Sequence, residues 1–186
     1  SVFAVWQGGL AIHGVLIGGG LALLLYKKKK NIKLLEFLDI AAVGVIIGQI
    51  IGRWGNYFNQ ELFGYPTDKP WGIPIEAHNR PQQFLDFDYF HPTFLYESIL
   101  NFIGLMFLVI LHRLRVFKRY TIPHGVIFGV YIVLYSIVRI IMEQFRVDYS
   151  PLLFGFGAAP VVSSIFICIS IIFIVYSCRS IFLKKK

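Results

Sequence analysis

The sequence has few charged residues, only two cysteines and no low-complexity segment. Charged residues make up 15% of the 186 positions, whereas 56% are hydrophobic, and the mean hydropathy is +0.67. A soluble domain carries about 25% charged residues, so an ordinary soluble globular protein is excluded. Cys168 and Cys178, which we expect to be buried, are about 15 Å apart along one predicted helix, too far for a disulfide. The composition predicts an integral membrane protein.

Five apolar segments are each long enough to cross or nearly cross a bilayer. A hydrocarbon core of about 30 Å needs about 20 helical residues. The second segment contains Asp39, Gly44 and Gly48, and small and polar residues favour a helix packed against other helices. We therefore predict an all-α, polytopic membrane helix bundle, a single domain over residues 1–186, with the second span buried inside it. The five segments are Leu10–Tyr26, Phe37–Ile51, Phe94–Leu111, Gly125–Met142 and Ala158–Cys178.

Basic residues are distributed unevenly between the predicted loops. If the C-terminal end of the first span is inside, the inner loops hold 13 basic residues and the outer side holds five. The outer side also carries eight of the ten acidic residues. Because Lys and Arg in short loops collect on the cytoplasmic side, this pattern places the polar chemistry outside. The net charge of +8 then indicates topology and contact with anionic membrane lipids, and no nucleic-acid partner is expected.

The longest connection between spans, residues 61–91, is rich in proline. Pro66, Pro70, Pro74 and Pro81 lie among scattered charges and aromatic residues. Proline at this density excludes a long helix. A plain connector would explain the segment, but loops of this length more often carry function. We expect an external loop that acts as a lid or contacts the substrate.

The run Gly52–Gly64 places an arginine, two asparagines and a glutamate at the end of an apolar segment. Polar groups at membrane depth usually serve function. Arg53 offers a planar fork suited to phosphate, and Asn56 and Asn59 offer neutral donors and acceptors. A helix end with a snorkelling arginine and a glycine-rich turn would explain the same residues. The remaining polar groups must decide between the two interpretations.

A stripe of polar residues follows one face of the fourth span. At about 100° per residue, steps of four, four, four and three keep five side chains within about 120°. An internal ion pair between Arg139 and Glu143 would explain part of the stripe. Two arginines against one glutamate leave positive charge over, which favours a site for an anionic headgroup. The five residues are Tyr131, Tyr135, Arg139, Glu143 and Arg146.

Two other spans begin with polar residues. His13 has glycines on either side at the external start of the first span, so it is either a hydrogen-bonded packing residue or a general acid or base with room for a ligand. At the start of the third span, capping by Thr93 explains most of the cluster that includes Glu97. The five histidines lack metal-ligand spacing, and we expect no metal.

These residues, in this order, resemble the bacterial prolipoprotein diacylglyceryl transferase family. Gly52–Gly64 is similar to the family signature, and the glycines around His13 resemble its His-Gly segment. His91–Glu97 resembles the His-Pro, Tyr-Glu segment, and Tyr135–Arg146 resembles the family's Tyr, Arg, Glu, Arg helix. The resemblance covers nearly the whole chain, most closely residues 13–148. Family members have seven spans, so we expect this chain to begin after the first two.

The resemblance implies transfer of the diacylglyceryl group of phosphatidylglycerol to the lipobox cysteine thiol of a preprolipoprotein signal peptide, with release of glycerol 1-phosphate. It implies a multi-pass protein of the bacterial inner membrane, with its active site on the periplasmic side and no cofactor. The implied catalytic residues are His13, Arg53, Arg139 and Glu143, with either His13 or Glu143 as the base. The implied substrate-binding residues are Asn56, Asn59, Glu61, Gly64, Tyr135 and Arg146.

Two other functions stay open. Arg53, Arg139 and Arg146 could attract an anionic lipid or small anion through a transporter, which needs access from both faces. The inner loops offer only Glu36 and Asp39 as acidic groups, which disfavours this reading. The third function is that of an inactive remnant of the transferase that packs beside other membrane proteins.

Overall fold

The computed structural model describes residues 18–20, 25, 28, 33–118, 120–147, 152–153 and 155–184. Within these residues, four helices are long and apolar enough to cross a membrane, and they correspond to the last four predicted spans. The prediction of a polytopic helical membrane protein is confirmed. The first predicted span lies largely outside the described residues, and the single-domain organisation stays a prediction. The helices are α1 Leu34–Phe58, α2 Thr93–Val116, α3 Val126–Glu143 and α4 Ala158–Lys184.

Two compact units divide the chain, Ser1–Phe37 and Leu38–Lys186. The larger unit contains most of the helical residues and the charged side chains at the ends of the helices. Its core lies where α1, α2 and α3 meet. Ile46 of α1 packs with Leu108 of α2 and Ile127 of α3, and all three side chains are buried. Apolar side chains from three helices therefore hold this bundle together.

Helix α1 is less enclosed than the sequence predicted. Only Asp39, Ala42 and Ile46 are buried, at spacings of three and four residues that define one helical face. A Cβ built on Gly44 or Gly48 would meet no atom within 4 Å outside the local helix backbone. The prediction that this span is buried inside the bundle is therefore wrong for the described part of the chain. Gly44 and Gly48 have no close neighbour among the described residues.

Helix α4 packs along α3. Gly129 of α3 permits a close approach, because a Cβ there would lie 3.0 Å from Ile174 Cγ1. Both cysteines of α4 are free, which confirms that they form no disulfide. Cys168 is exposed and Cys178 is half-buried. The expectation that both thiols are buried is wrong as far as packing against the described residues is concerned.

A buried carboxylate fastens one end of the bundle. Asp39 is fully buried, and its Oδ2 accepts 2.8 Å hydrogen bonds from Arg115 Nη1 and from the Gly125 N–H. Its Oδ1 accepts a 2.8 Å bond from the Phe128 N–H. The first N–H groups of a helix lack partners within the helix and favour negative charge. Asp39 of α1 therefore caps the N-terminus of α3.

The loop after α1 folds at the opposite end. It contains no α-helix, as its prolines predict, but two 3₁₀ turns and a short hairpin. Phe63, Ile75 and Phe90 form a small core of its own. A second hairpin precedes α4, and both hairpins are antiparallel. The strands are β1 Ile73–Pro74, β2 Tyr89–Phe90, β3 Leu152–Leu153 and β4 Phe156–Gly157, and the 3₁₀ turns are Ala77–Asn79 and Gln82–Phe84.

Candidate functional site

Aromatic rings hold the end of α1 against the start of α2. Trp54 and Tyr57 contact Phe94, with ring centroids 5.3 and 4.8 Å apart. One turn further along, Ser98 Oγ donates a 2.8 Å hydrogen bond to the Ile50 carbonyl. Rings packed in this way fix two helices more firmly than isolated polar contacts do. These contacts hold Arg53 of α1 against the first turns of α2.

Glu97 of α2 lies between two arginines. Its Oε2 is 2.6 Å from Arg53 Nη2, and its Oε1 accepts a 3.1 Å hydrogen bond from Arg146 Nη2. Only 4% of Glu97 is exposed. A carboxylate this buried is stable as an ion only when it is paired and hydrogen-bonded. One glutamate therefore connects α1, α2 and the segment that follows α3.

A second ion pair lies in the same region. Arg139 Nη1 is 2.7 Å from Glu143 Oε2, so the predicted pair is confirmed. Burial lowers the pKa of Arg146; Glu97 opposes this shift, and the positive charges of Arg139 and Arg53 add to it. An arginine stays protonated at neutral pH, so the positive charges of Arg53 and Arg139 both act on Arg146.

The charges of this cluster do not balance. Among the described residues, three arginines face two buried or half-buried glutamates. Each arginine has a partner, but the two glutamates leave one positive charge over among the described residues, and such a charge at the ends of apolar helices is costly unless a polar cavity or a ligand is near. Guanidinium groups bind phosphate and carboxylate oxygens through paired N–H donors. The arrangement is suited to an anionic headgroup. The cluster consists of Arg53, Glu97, Arg139, Glu143 and Arg146.

A polar chain extends from the cluster along the end of α1. Arg53 Nη1 donates to Asn56 Oδ1 at 3.4 Å, and Asn56 Nδ2 donates to Glu61 Oε1 at 2.8 Å. Asn59 Nδ2 donates to the same glutamate oxygen at 3.3 Å. A cavity of about 430 Å³ lies beside Asn59 and Glu61 and is also lined by Asn79. Four residues predicted from the run Gly52–Gly64 are thus joined by hydrogen bonds.

Gly64 is closely packed. Its N–H donates to the His91 carbonyl at 2.9 Å, and its backbone pairs with Arg146. A Cβ on Gly64 would lie 2.6 Å from the Phe145 carbonyl oxygen and 2.8 Å from His91 Cβ. Only glycine fits this space, and it lets the loop lie directly against the segment that carries Arg146. A substrate contact by Gly64 stays a prediction.

The polar stripe of α3 divides into two parts. Tyr131 is buried in the core and accepts a 3.0 Å hydrogen bond from Gln49 Nε2. Tyr135 is half-buried, and its ring centroid is 6.3 Å from that of Tyr131. Arg139 and Glu143 continue the stripe into the charged cluster. Tyr135 therefore lies between the core and the charges, where a contact with substrate stays a prediction.

An apolar groove opens beside the start of α2. Its volume is about 450 Å³, and Trp71, His91, Tyr96 and Phe145 contribute to its lining. Trp71 Nε1 donates a 2.8 Å hydrogen bond to the Tyr96 hydroxyl, which is 3.0 Å from His91 Nδ1. Burial, and then the charge of Lys69, lower the pKa of His91. The His91 imidazole is therefore neutral at neutral pH.

The sequence interpretation of the start of α2 needs correction. The helix begins after Pro92 without a side-chain cap, and the Thr93 hydroxyl donates instead to the Leu62 carbonyl. Glu97 is a residue that the prediction missed, because helix capping seemed to explain it. The sequence did contain a signal for it. Glu97 is a carboxylate one turn inside an apolar helix, on the same predicted outer side as Arg53 and Arg146, for which no ion-pair partner was predicted.

Two further predictions concern His13 and the absence of a metal ion. His13 lies outside the described residues, so its role as a base stays a prediction. In the part of the chain that the structure describes, no three His, Cys, Asp or Glu side chains are close enough to hold a metal ion. That the working site needs neither metal nor cofactor also stays a prediction.

Comparison with known proteins identifies the family. Residues 1–176 match the family model described as prolipoprotein diacylglyceryl transferase. A phosphatidylglycerol–prolipoprotein diacylglyceryl transferase of Prochlorococcus marinus is 46% identical over 155 residues, which cover 83% of this chain and 51% of the relative. The protein of the same name from a Nostoc species is 44% identical over 147 residues, or 79% of this chain and 52% of the relative. The chain spans about half the length of these curated relatives. The chain belongs to the prolipoprotein diacylglyceryl transferase family.

Proposed function

We propose that this chain transfers the diacylglyceryl group of phosphatidylglycerol to the lipobox cysteine of a preprolipoprotein signal peptide. The observation that carries the proposal is the charged cluster, in which three arginines share two glutamates among the described residues. A phosphodiester at the membrane surface is the anion that such a cluster would meet in a lipid bilayer. Family membership supports the same reaction.

The reaction replaces a carbon–oxygen bond by a carbon–sulfur bond. The substrate thiol gives its proton to a base, and the thiolate attacks the glycerol carbon that bears the phosphate ester. The carbon–oxygen bond breaks, and glycerol 1-phosphate leaves with the electron pair. Arg53 and Arg139 stabilise the charge that the departing phosphate gains. The products are a thioether-linked diacylglyceryl peptide and glycerol 1-phosphate.

The ion pair of Glu143 helps to decide which residue removes the proton of the substrate thiol. Glu143 is 2.7 Å from Arg139, one helical turn away. One oxygen of this carboxylate is already occupied by the guanidinium, so Glu143 is placed to hold Arg139 in position. We therefore assign Glu143 to the orientation of Arg139 and His13 to removal of the thiol proton.

The polar chain at the end of α1 suits the glycerol part of the headgroup. Asn56 and Asn59 both donate to Glu61 Oε1, which orients the two amides. Amides and a carboxylate together supply donors and acceptors for hydroxyl groups. Tyr135 and Arg146 would line the other side. The basic loops predicted from the sequence suggest that this site faces the periplasm of a bacterial cell, across the inner membrane from the cytoplasm.

Mass spectrometry of a lipobox peptide tests the proposal. The peptide is incubated with the chain in phosphatidylglycerol vesicles, and a diacylglyceryl mass gain on its cysteine is expected. Arg53→Ala should lose this gain. Arg113→Ala, an exposed arginine at the opposite end of α2, should keep it. A parallel reaction adds the part of a curated relative that this chain does not cover.

The outcomes separate the alternatives. Transfer by the chain alone, lost in Arg53→Ala, supports the proposal as stated. Transfer only with the added part of the relative makes the chain one portion of the transferase. If a folded chain transfers nothing under either condition, the proposal is overturned. Flux of an anionic lipid or small anion across vesicles would then indicate a transporter, and its absence an inactive remnant.

A further inference from the structure

We infer that Glu97 is a positioning residue that holds Arg53 and Arg146 at the spacing needed to bind a phosphate group. This inference rests on the proposed function, because the phosphate in question is that of phosphatidylglycerol. Each carboxylate oxygen of Glu97 pairs with an arginine, so we assign Glu97 no contact with the reacting atoms. Its effect would pass through the two guanidiniums.

The geometry divides the carboxylate between two partners. Oε2 meets Arg53 from α1 at 2.6 Å, and Oε1 meets Arg146 from the segment after α3 at 3.1 Å. A carboxylate oxygen pair has a fixed separation, so this sharing fixes the distance between the two guanidinium groups. Glu97 itself is held by its neighbours in α2, since Phe94 packs against α1 and Ser98 bonds to it.

The arginine pair keeps donors that Glu97 does not use. The Nε of Arg146 is buried and has no hydrogen-bond partner among the described residues. The side chain of Arg146 is only 11% exposed, so water reaches it poorly. A buried N–H without a partner is costly, and in Arg146 it is a donor that an anion beside the pair can take. Arg115 Nε at the other end of the bundle is also unpartnered, so the inference rests on the shared carboxylate and not on this donor alone. Arg53 uses one further nitrogen, and only for a 3.4 Å contact with Asn56.

Two substitutions separate the effect of the negative charge of Glu97 from the effect of its side-chain length. Glu97→Gln keeps the length of the side chain but removes the charge and one acceptor oxygen. Glu97→Asp keeps the charge but withdraws the carboxylate by one methylene, so that it can pair with one arginine only. A positioning role predicts that Gln impairs the site more than Asp does, because the charge keeps at least one guanidinium in place.

The experiment measures initial rates with phosphatidylglycerol and lipobox peptide varied separately in mixed micelles. In Glu97→Gln the KM for phosphatidylglycerol should rise about tenfold or more, as expected when charge-assisted hydrogen bonds are lost. The KM for the peptide should stay within twofold, and Glu97→Asp should restore part of the lipid KM. Asp88→Asn is the control, because it removes an exposed carboxylate that pairs with Arg80 in the loop, outside the charged cluster.

A multiple variant tests whether Glu97 acts through the arginines. In the Arg53→Ala, Arg146→Ala background, adding Glu97→Gln should cause no further loss of phosphatidylglycerol binding, measured with vesicles of phosphatidylglycerol against phosphatidylcholine. Additive losses, or a lipid KM within twofold of the unsubstituted chain in folded Glu97→Gln, would overturn the inference. Failure of both Glu97 variants to fold, followed by thermal unfolding in detergent, would also overturn it and make Glu97 structural.

The binding measurement keeps this inference separate from the proposed function. If the unsubstituted chain binds phosphatidylglycerol but transfers nothing, the proposed function fails. The role of Glu97 is then decided by binding alone. Weaker binding of phosphatidylglycerol by Glu97→Gln supports the inference, and equal binding overturns it.

Discussion

The two ends of the helix bundle each contain a buried carboxylate, but the carboxylates have different partners. At one end, Asp39 pairs with a single arginine, Arg115, and accepts two backbone N–H groups of α3. At the other end, Glu97 is shared by Arg53 and Arg146. The first set is electrically matched and hydrogen-bonded on both oxygens. The second leaves positive charge over among the described residues. A buried Nε without a hydrogen-bond partner occurs at both ends, on Arg115 and on Arg146, and does not distinguish them.

The difference shows how a structural ion pair can be told from a binding site. Both carboxylates are buried, and both join three segments of the chain, so burial and connectivity do not distinguish them. Charge balance does. A matched group contributes to folding, whereas a surplus of one sign inside an apolar bundle is costly until a ligand of opposite charge arrives. Four variants test this difference between the two ends.

The largest expected effect is on catalysis, at the end with surplus charge. Arg139→Ala should reduce the rate of diacylglyceryl transfer by about 10²- to 10³-fold, because the departing phosphate loses a preorganised donor. Insertion and folding should persist, since α3 keeps its packing against α2 and α4. Peptide mass spectrometry measures the rate, with Arg113→Ala as the control. Turnover at the unsubstituted level would remove Arg139 from the site.

At the matched end, the expected effect is on stability. Asp39→Asn removes the charge opposite Arg115 and should lower the free energy of unfolding by about 3 kcal/mol, as found when one partner of a buried ion pair is removed. Thermal unfolding in detergent measures the loss. Transfer per folded molecule should be unchanged. A large loss of specific activity in the folded fraction would show that the two ends are coupled.

A smaller effect is expected where the loop meets the charged cluster. Gly64→Ala forces a Cβ to within 2.6 Å of the Phe145 carbonyl oxygen and should destabilise the fold by about 1–3 kcal/mol. Gly44→Ala is the matched control, because the space around it is open. It should be neutral, or stabilising by up to about 1 kcal/mol, since alanine favours a helix. Equal effects in the two variants would contradict the packing described for Gly64.

No effect is expected from the two cysteines of α4. Replacing Cys168 and Cys178 together by serine should leave transfer unchanged, because the proposed attacking sulfur belongs to the substrate. Both thiols are free and lie on a helix that contributes no member of the charged cluster. The same peptide assay checks this. Loss of transfer in a stably inserted variant would count against a substrate-borne nucleophile.

Much of the helical framework was predictable from the sequence, because long apolar runs have few alternatives in a bilayer. The Arg139–Glu143 pair was predictable too, since four-residue spacing puts the two on one helix face. Contacts between distant segments were not. Hydropathy does not encode how helices pack against one another. It therefore could not predict that Glu97 pairs with Arg53 and Arg146, or how much of α1 is buried. Glycines in α1 suggested a helix interface, but the described neighbours do not use them.

The cap on α3 also has a consequence for the order of assembly. Asp39 precedes Gly125 by 86 residues, so the first turn of α3 is completed by a side chain synthesised two helices earlier. The first N–H groups of α3 have no partner within the helix, and the Asp39 carboxylate supplies one. Because α1 precedes α3 in the chain, this carboxylate is synthesised first. Insertion in the order of synthesis supplies the carboxylate before the helix that needs it, so biogenesis and capping follow the same sequence of events.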